Sequence, residues 1–131
     1  MPLTTYTGRC HCGAVRFEAE ADLQAGTLRC NCSICAMGRA WLAFVPAGRF
    51  RLTAGEDRLA TYAFGARSIQ HRFCTVCGIK PFGMAVDGSG VAVSIACLEG
   101  LDPEQRASLP VRYVDGAHDR WDAAPAVTGY L

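Results

Sequence analysis

The segment Arg29-Cys30-Asn31-Cys32-Ser33-Ile34-Cys35 places three thiols within six consecutive positions. Two further motifs, Cys10-x-Cys12 and Cys74-x-x-Cys77, each add a pair of thiols, and the eighth cysteine, Cys97, stands alone. Two thiolates on one short turn can bind a single tetrahedral ion while backbone amides compensate their charge. One pair would be ordinary, but two pairs and a triplet together indicate metal binding.

The spacing also predicts how the cysteines are shared between ions. The triplet of Cys30, Cys32 and Cys35 can converge locally, whereas Cys10 and Cys12 need two more thiols, which Cys74 and Cys77 supply across a long loop. A closed site with four thiolates cross-links distant strands and contributes folding energy. A site with three protein ligands leaves a position for water or substrate, as catalytic zinc sites do.

Disulfides are the competing explanation for eight cysteines. Residues i and i+2 of an extended strand are about 6.6 Å apart, near the upper limit for a disulfide, so Cys-x-Cys units bridge poorly. The N-terminal segment has no basic stretch followed by an apolar one, as a secretory signal would. We therefore expect a cytoplasmic protein with reduced thiols.

Composition narrows the class of protein and of partner. The 131 residues are 50% hydrophobic and 19% charged, which predicts one globular domain over residues 1–131. No apolar run approaches the ~20 residues that span a bilayer, and the net charge of +1 argues against nucleic-acid and membrane surfaces. Small molecules are the expected partners, and a homo-oligomer is left open.

Short runs with a period of two, broken by Gly, Pro and Asp, predict a mainly antiparallel β fold with metal-binding turns. The run at 90–98 is mostly apolar and is interpreted as a strand buried on both faces. Helix is confined to a short turn at 101–105, with Asp102 as N-cap and Pro103 at the first position, and to a second turn after Cys35. The other predicted strands lie at 15–20, 41–45, 49–52, 59–63 and 68–73.

The three cysteine motifs resemble those of the glutathione-dependent formaldehyde-activating enzyme family, which also includes centromere protein V. The likeness extends from about residue 7 to residue 121. It implies the β-tent fold, in which small antiparallel sheets with little helix pack around zinc sites. It also implies two zinc ions, a structural one held by the first and third motifs and a catalytic one held by the triplet. The matching segments are Gly8-Arg9-Cys10-His11-Cys12-Gly13-Ala14-Val15, Cys30-Asn31-Cys32-Ser33-Ile34-Cys35 and Phe73-Cys74-Thr75-Val76-Cys77-Gly78.

The resemblance implies a carbon–sulfur lyase similar to S-hydroxymethylglutathione synthase. Such an enzyme would join glutathione or another small thiol to formaldehyde or a related small aldehyde, or run the reverse reaction. Three thiolates on Zn²⁺ leave a net charge of −1, which suits a soft thiolate better than the activation of water. One alternative is a non-catalytic interaction module in which both zinc ions are structural; another is a zinc-transfer or redox-sensing protein.

The residues after the triplet depart from the family pattern. The family usually places basic residues there, whereas this chain has Ala36-Met37-Gly38-Arg39. Glutathione carries two carboxylates, so the loss of positive charge leaves the identity of the thiol open. The cations that could compensate from elsewhere are Arg39, Arg67, Arg72 and Lys80.

His71 is the candidate catalytic residue outside the triplet. A period of two places it on the same strand face as Ile69 and Phe73, where it is either a half-buried, hydrogen-bonded histidine or a proton shuttle in the active site. His11 is expected to point away from the metal and His118 to be solvated.

Cys97 and the aromatic residues are interpreted first as core. Cys97 is expected to act as a small hydrophobe in an apolar strand, with the fourth position of the triplet site, or its neighbourhood, as the alternative. The aromatic side chains expected in the core, of which one or two could wall the site, are those of Trp41, Phe44, Tyr62, Phe64, Phe73 and Phe82.

Overall fold

The computed structural model describes residues 3–131, which form ten β-strands, two short α-helices and several 3₁₀ turns. The prediction of a mainly β fold with little helix is confirmed. Neither helix of this described part is long and apolar enough to cross a membrane. The elements are β1 Thr4–Arg9, β2 Arg16–Ala21, β3 Thr27–Cys30, α1 Ser33–Gly38, β4 Leu42–Pro46, β5 Phe50–Ala54, β6 Leu59–Tyr62, β7 Ile69–Cys74, β8 Phe82–Ala85, β9 Gly90–Ser94, α2 Pro103–Ala107 and β10 Val111–Val114.

The strands form two sheets. A three-stranded sheet has the order β1-β2-β5, and a seven-stranded sheet has the order β10-β3-β4-β9-β8-β7-β6. The strand pairs are antiparallel except for β10 and β3, which run parallel and place Val114 opposite Cys30. This parallel pair was not predicted, and it brings the C-terminal part of the chain to the triplet.

The main core lies between the two sheets and is built around three phenylalanines. The rings of Phe17 and Phe50 are stacked with centroids 5.4 Å apart, and Phe82 packs 4.7 Å from Phe50. Gly8 on β1 permits this packing, because a Cβ there would collide with the Phe17 ring. Val91 and Val93 of β9 are fully buried in the same cluster. Burying each such side chain stabilises the fold by about 1.5–3 kcal/mol.

The opposite face of the seven-stranded sheet, which we call the outer face, carries one row of side chains across five strands. Tyr62 pairs with His71, His71 with Gly83, Gly83 with Ala92, and Ala92 with Phe44. Residues directly opposite each other in an antiparallel pair project from the same face. On β4, Leu42 is two residues from Phe44 and projects from the same face. Leu42 lies opposite Leu28 of β3, and Cys30 is two residues beyond Leu28, so Cys30 also belongs to the outer face.

Most predicted strands are confirmed with small shifts of their ends, but the strand expected at 90–98 is shorter. It ends at Ser94, and a 3₁₀ turn follows at Ile95–Cys97. It is also buried on one face only, since Val91 and Val93 alternate with partly exposed neighbours. The expected turn after residue 101 is α2, where Asp102 and Gln105 form a capping box.

The expectation that the six aromatic residues lie in the core is wrong for three of them. Phe82 is buried, and Trp41 and Phe73 are partly buried. Phe44, Tyr62 and Phe64 are exposed by 64%, 53% and 40%. Phe44 and Tyr62 lie at the two ends of the outer-face row and stay exposed, whereas His71 within the row is buried.

Candidate metal centres

The first candidate centre joins the loop after β1 to the end of β7. The thiols of Cys10, Cys12, Cys74 and Cys77 lie within 4.8 Å of one another. The Sγ atom of Cys12 lies 3.6 Å from that of Cys10 and 3.7 Å from that of Cys74, which is 62 residues away in sequence. In a tetrahedral site with Zn–S bonds of about 2.3 Å, the sulfurs are about 3.8 Å apart. This group of four therefore fits a zinc ion closely.

Backbone amides around this centre stabilise thiolates. The N–H groups of Val15 and Val76 donate to the sulfurs of Cys10 and Cys74 at 3.3 and 3.4 Å. The N–H groups of Cys12 and Ile79 donate to Cys77 and lower the pKa of its thiol to about 6. Hydrogen bonds to the charged form of a group favour that form, so the loops are shaped for deprotonated ligands.

The second candidate centre is local. The thiols of Cys30, Cys32 and Cys35 lie within 4.8 Å of one another, and no fourth His, Cys, Asp or Glu of the described chain joins the group. Cys30 ends β3, Cys32 is the N-cap of α1, and Cys35 lies in the first turn of that helix. Cys30 is buried, whereas Cys32 and Cys35 are only partly buried.

The electrostatics of the triplet favour a bound cation. Burial raises the pKa of the Cys35 thiol to about 12, and its hydrogen bond with Cys32 and the negative charges of Cys32 and Cys30 act in the same direction. Burial also raises the pKa of Cys30. Each thiolate thus opposes the ionisation of the next one, and a divalent ion among the three sulfurs would remove that penalty. The triplet fits a soft divalent metal such as zinc.

A loop after β10 supports the triplet from behind. Asn31, between two of the cysteines, donates from Nδ2 to Oδ1 of Asp115 at 2.8 Å and accepts at Oδ1 from the N–H of Ala117 at 2.9 Å. Gly116 lies so close that a Cβ there would be 2.5 Å from the sulfur of Cys30 and 2.8 Å from the Trp121 ring. Sequence reasoning assigned no role to Asn31, Asp115 or Gly116. Two sequence features could have pointed to these residues: the amide side chain of Asn31 between two ligand cysteines, and the Asp115-Gly116 pair late in the chain.

Lys80 supplies a positive charge beside the triplet. Burial lowers the pKa of Lys80, while the negative charges of Cys35 and Cys32 act to raise it, so its ammonium lies within electrostatic range of both thiols. Its stem runs over Gly83, where a Cβ would be 3.8 Å from the Lys80 Cε. Arg72, another of the four cations considered, instead pairs with Glu56 at 3.6 Å.

His71 is buried on the outer face with only 8% of its surface exposed. Its Nδ1 atom has no hydrogen-bond partner within residues 3–131, so the expectation of a hydrogen-bonded histidine is wrong at that nitrogen. Burial and the charge of Lys80 lower its pKa, so the ring is neutral at pH 7. The rings of Phe64 and Tyr62 lie 5.6 and 6.5 Å from it, centroid to centroid.

Cys97 lies beside the four-cysteine centre and not in the triplet. The charges of Cys10 and Cys77 contribute, after burial, to raising its pKa, and it lines a cavity of about 390 Å³ together with Cys10 and Arg106. It is partly buried in a 3₁₀ turn and belongs to neither cysteine group. The hypothesis that it is the fourth ligand of the triplet therefore has no support in the geometry.

The other histidines lie outside both cysteine groups. His11 is exposed, as expected for a side chain that points away from the metal. His118 is also exposed, but its Nδ1 lies 2.8 Å from Oδ1 of Asp115. It is thus solvated, as expected, and it also pairs with Asp115 within the loop that supports the triplet.

Comparison with known proteins identifies a family and a similar solved structure. The family model described as glutathione-dependent formaldehyde-activating enzyme matches residues 5–112. The crystal structure of a Rhodobacter sphaeroides protein, a structural genomics target, aligns with a TM-score of 0.71 at 34% sequence identity. That alignment covers 81% of this chain and 99% of the other. The family match includes all seven clustered cysteines.

Proposed function

Because the chain belongs to the glutathione-dependent formaldehyde-activating enzyme family, we propose that it joins a small thiol, glutathione or another, to formaldehyde or a related small aldehyde, or catalyses the reverse cleavage. The observation that carries this proposal is the convergence of three thiols, rather than four, at Cys30, Cys32 and Cys35. Three protein ligands leave one position for a substrate. The partial exposure of Cys32 and Cys35 keeps that side of the centre within reach of solvent.

The two cysteine groups would hold two zinc ions with different roles. A structural ion would be held by Cys10, Cys12, Cys74 and Cys77, which tie the loop after β1 to the end of β7 and so stabilise the fold. A catalytic ion held by the triplet would favour a soft anionic ligand and so stabilise the deprotonated substrate thiol. The loop from Asp115 to Trp121 would keep the three ligands in place.

The proposed reaction balances without an oxidant or reductant. The substrate sulfur forms a bond to the aldehyde carbon, the electron pair of the C=O π bond moves to oxygen, and the proton lost by sulfur ends on that oxygen. Glutathione and formaldehyde would give S-hydroxymethylglutathione. In the reverse direction the C–S bond breaks, which is a carbon–sulfur lyase reaction.

We assign the proton transfer to His71. Its lowered pKa leaves the ring neutral at pH 7 and able to accept a proton. Its Nδ1 is buried without a partner, so the other ring nitrogen, Nε2, would take up the thiol proton and release it again. The packing of Phe64 and Tyr62 around the ring fixes its orientation.

The test is the exchange of ¹³C-labelled formaldehyde with glutathione, followed by NMR exchange spectroscopy with zinc-loaded protein. The wild type should accelerate exchange above the spontaneous rate, and Cys32→Ser should abolish the acceleration while the protein stays folded. Cys97→Ser is the matched control, because it removes a partly buried thiol that lies outside the triplet. No acceleration with glutathione or with smaller thiols would contradict the proposal.

The second candidate is a non-catalytic interaction module with two structural zinc ions. The observation in its favour is the exposure of Phe44, Tyr62 and Phe64, because exposed aromatic side chains are enriched at protein interfaces. A pull-down with the triple variant Phe44→Ser, Tyr62→Ser, Phe64→Ser as the negative control tests this reading. The interaction-module hypothesis gains support only if the protein also fails to accelerate the exchange of formaldehyde with thiols.

A further inference from the structure

The strands β3 and β4 of the seven-stranded sheet diverge instead of pairing along their length. They form a single residue pair, Leu28 opposite Leu42, whereas every residue of β4 is paired with β9 on its other side. At Gly26, just before β3, no atom of the described residues 3–131 lies within 4 Å of the position of a Cβ. The divergence accompanies a cavity of about 330 Å³, to which β3, β4 and β10 all contribute.

Four side chains of the outer face line this cavity. Leu28 and Leu42 lie side by side and are almost fully buried, so they provide an apolar floor. Phe44, two residues beyond Leu42 on β4, is 64% exposed. Arg112 of β10 is paired with Leu28 and is also exposed. The cavity therefore combines an apolar floor with one aromatic ring and one guanidinium group.

The guanidinium of Arg112 is not neutralised by an acidic side chain. Within residues 3–131, no carboxylate oxygen lies within 4.0 Å of it, and its Nη1 donates only a long hydrogen bond, 3.4 Å, to the carbonyl of Trp121. A guanidinium group stacks readily on an aromatic face. The same chain already shows such a contact, since Arg29 lies 5.0 Å from the ring centroid of Trp41.

The cavity is continuous with the thiol triplet. Cys30 is two residues beyond Leu28 on β3 and projects from the same face, a step of about 6.6 Å along a strand. Leu28, Cys30 and Val114 form one buried cluster, and Cys32 and Cys35 pack against it. A ring joined through one carbon atom to a sulfur at the open position of the triplet would therefore reach the cavity.

We propose that the cavity lined by Leu28, Leu42, Phe44 and Arg112, which we call the ring subsite, receives an aromatic ring carried by the thiol substrate. An aromatic ring stacks on Phe44 and offers its face to the cation of Arg112, whereas a saturated ring of the same size offers only apolar area. The volume of the ring subsite lies near the lower end of the range of about 300–1,000 Å³ for small-molecule sites, which suits a single ring.

This inference rests on the proposed function and deepens it, because it names arylalkyl thiols as the preferred substrate class. Phe44 and Arg112 are specificity residues and take no part in bond formation. Both side chains are exposed, so their replacement leaves the core between the sheets intact.

The test compares benzyl mercaptan with cyclohexylmethanethiol, which share a carbon skeleton and differ in aromaticity, by calorimetric titration of zinc-loaded protein without aldehyde. Since the two thiols differ in acidity, the quantity compared is their affinity ratio in wild type and variant. Phe44→Leu and Arg112→Gln should each lower the preference for benzyl mercaptan about threefold to tenfold. The matched controls Tyr130→Leu and Arg49→Gln remove an exposed ring and an exposed guanidinium outside the ring subsite and should keep the ratio.

A second measurement locates the ring itself. In protein with ¹³C-labelled leucine methyl groups, nuclear Overhauser effects should connect the ring protons of bound benzyl mercaptan with Leu28 and Leu42. Leu23 serves as the internal control, because it is buried in the main core and should show no such effect.

The outcomes separate the two proposals. If both variants keep the affinity ratio of the wild type, or if the ring contacts other leucines instead, the ring subsite is overturned while the proposed function stands. If the wild type binds neither thiol but accelerates the exchange of formaldehyde with glutathione, the ring subsite alone is again overturned. If it binds neither thiol and accelerates no exchange, both proposals are overturned.

Discussion

The Nδ2 atom of Asn31 donates a hydrogen bond to Oδ1 of Asp115 at 2.8 Å, across 84 residues of sequence. Asn31 separates two cysteines of the triplet, and Asp115 begins the loop that packs behind them. The same Asp115 oxygen lies 2.8 Å from Nδ1 of His118, and the pKa of Asp115 is lowered by its hydrogen bonds with Asn31 and His118. The triplet is thus local in its ligands but depends on a distant part of the chain for its support.

The first prediction concerns this support. Asn31→Ala removes two hydrogen bonds behind the triplet and should weaken zinc binding at the three-cysteine centre about 10- to 100-fold, as loss of a group that orients metal ligands typically does. Competition with a chromophoric chelator measures the effect. The four-cysteine centre should be unchanged, and Gln24→Ala, at an exposed position of another loop, is the control. Equal affinities in wild type and Asn31→Ala would show that the loop is dispensable.

The second prediction concerns Gly116. Gly116→Ala places a Cβ 2.5 Å from the sulfur of Cys30 and 2.8 Å from the Trp121 ring, and the Cys30 sulfur cannot move away without disturbing the triplet. We expect one zinc ion per chain instead of two, by metal analysis after gel filtration. Gly129→Ala is the matched control, because nothing lies within 4 Å of its Cβ position. Full zinc content in Gly116→Ala would contradict the observed packing.

The third prediction is that losing a ligand of the four-cysteine centre lowers the free energy of unfolding much more than losing a ligand of the triplet. Cys74 is fully buried and belongs to a centre that joins segments 62 residues apart. Cys74→Ser should therefore cost several kcal/mol of the roughly 5–15 kcal/mol that holds a domain folded. Cys32→Ser disturbs only a local centre and should leave a cooperative transition close to that of the wild type. Thermal unfolding followed by circular dichroism measures both, and equal losses would contradict the division into structural and catalytic centres.

The fourth prediction concerns metal content. The four-plus-three grouping predicts two zinc ions per chain that differ in how firmly they are held. An open coordination position gives a chelator access, so mild chelation should remove about one ion and leave the fold intact. Protein purified without added zinc should contain nearly two ions per chain by mass spectrometry. A content of one ion that added zinc does not raise would argue against the second centre.

The cysteine grouping could be predicted from sequence because local spacing limits it strongly. Cys30, Cys32 and Cys35 are close enough in the chain to converge within one short turn, and each of the two remaining pairs needs the other to complete four ligands. The strand positions could also be predicted from a local pattern, because alternation of apolar and polar residues indicates a strand with one buried face.

What could not be predicted depends on contacts between distant segments. The parallel pairing of β10 with β3 brings Asp115 and Gly116 to the triplet, and no local pattern specifies it. Lys80 lies within electrostatic range of the triplet, with its side chain folded back over Gly83, which spacing alone does not show. The apolar composition of Phe44 and Tyr62 indicated core, but the outer face leaves both exposed.

The most direct test of the open fourth position is substitution of both zinc ions by cobalt. Thiolate-to-cobalt charge-transfer bands grow with each sulfur bound, and seven protein sulfurs are grouped at the two centres. Added glutathione or another small thiol should intensify these bands in the wild type and in Cys97→Ala alike, because Cys97 lies outside the triplet. A spectrum that already shows four sulfurs at both centres, ignores added thiol and loses one sulfur in Cys97→Ala would contradict the account.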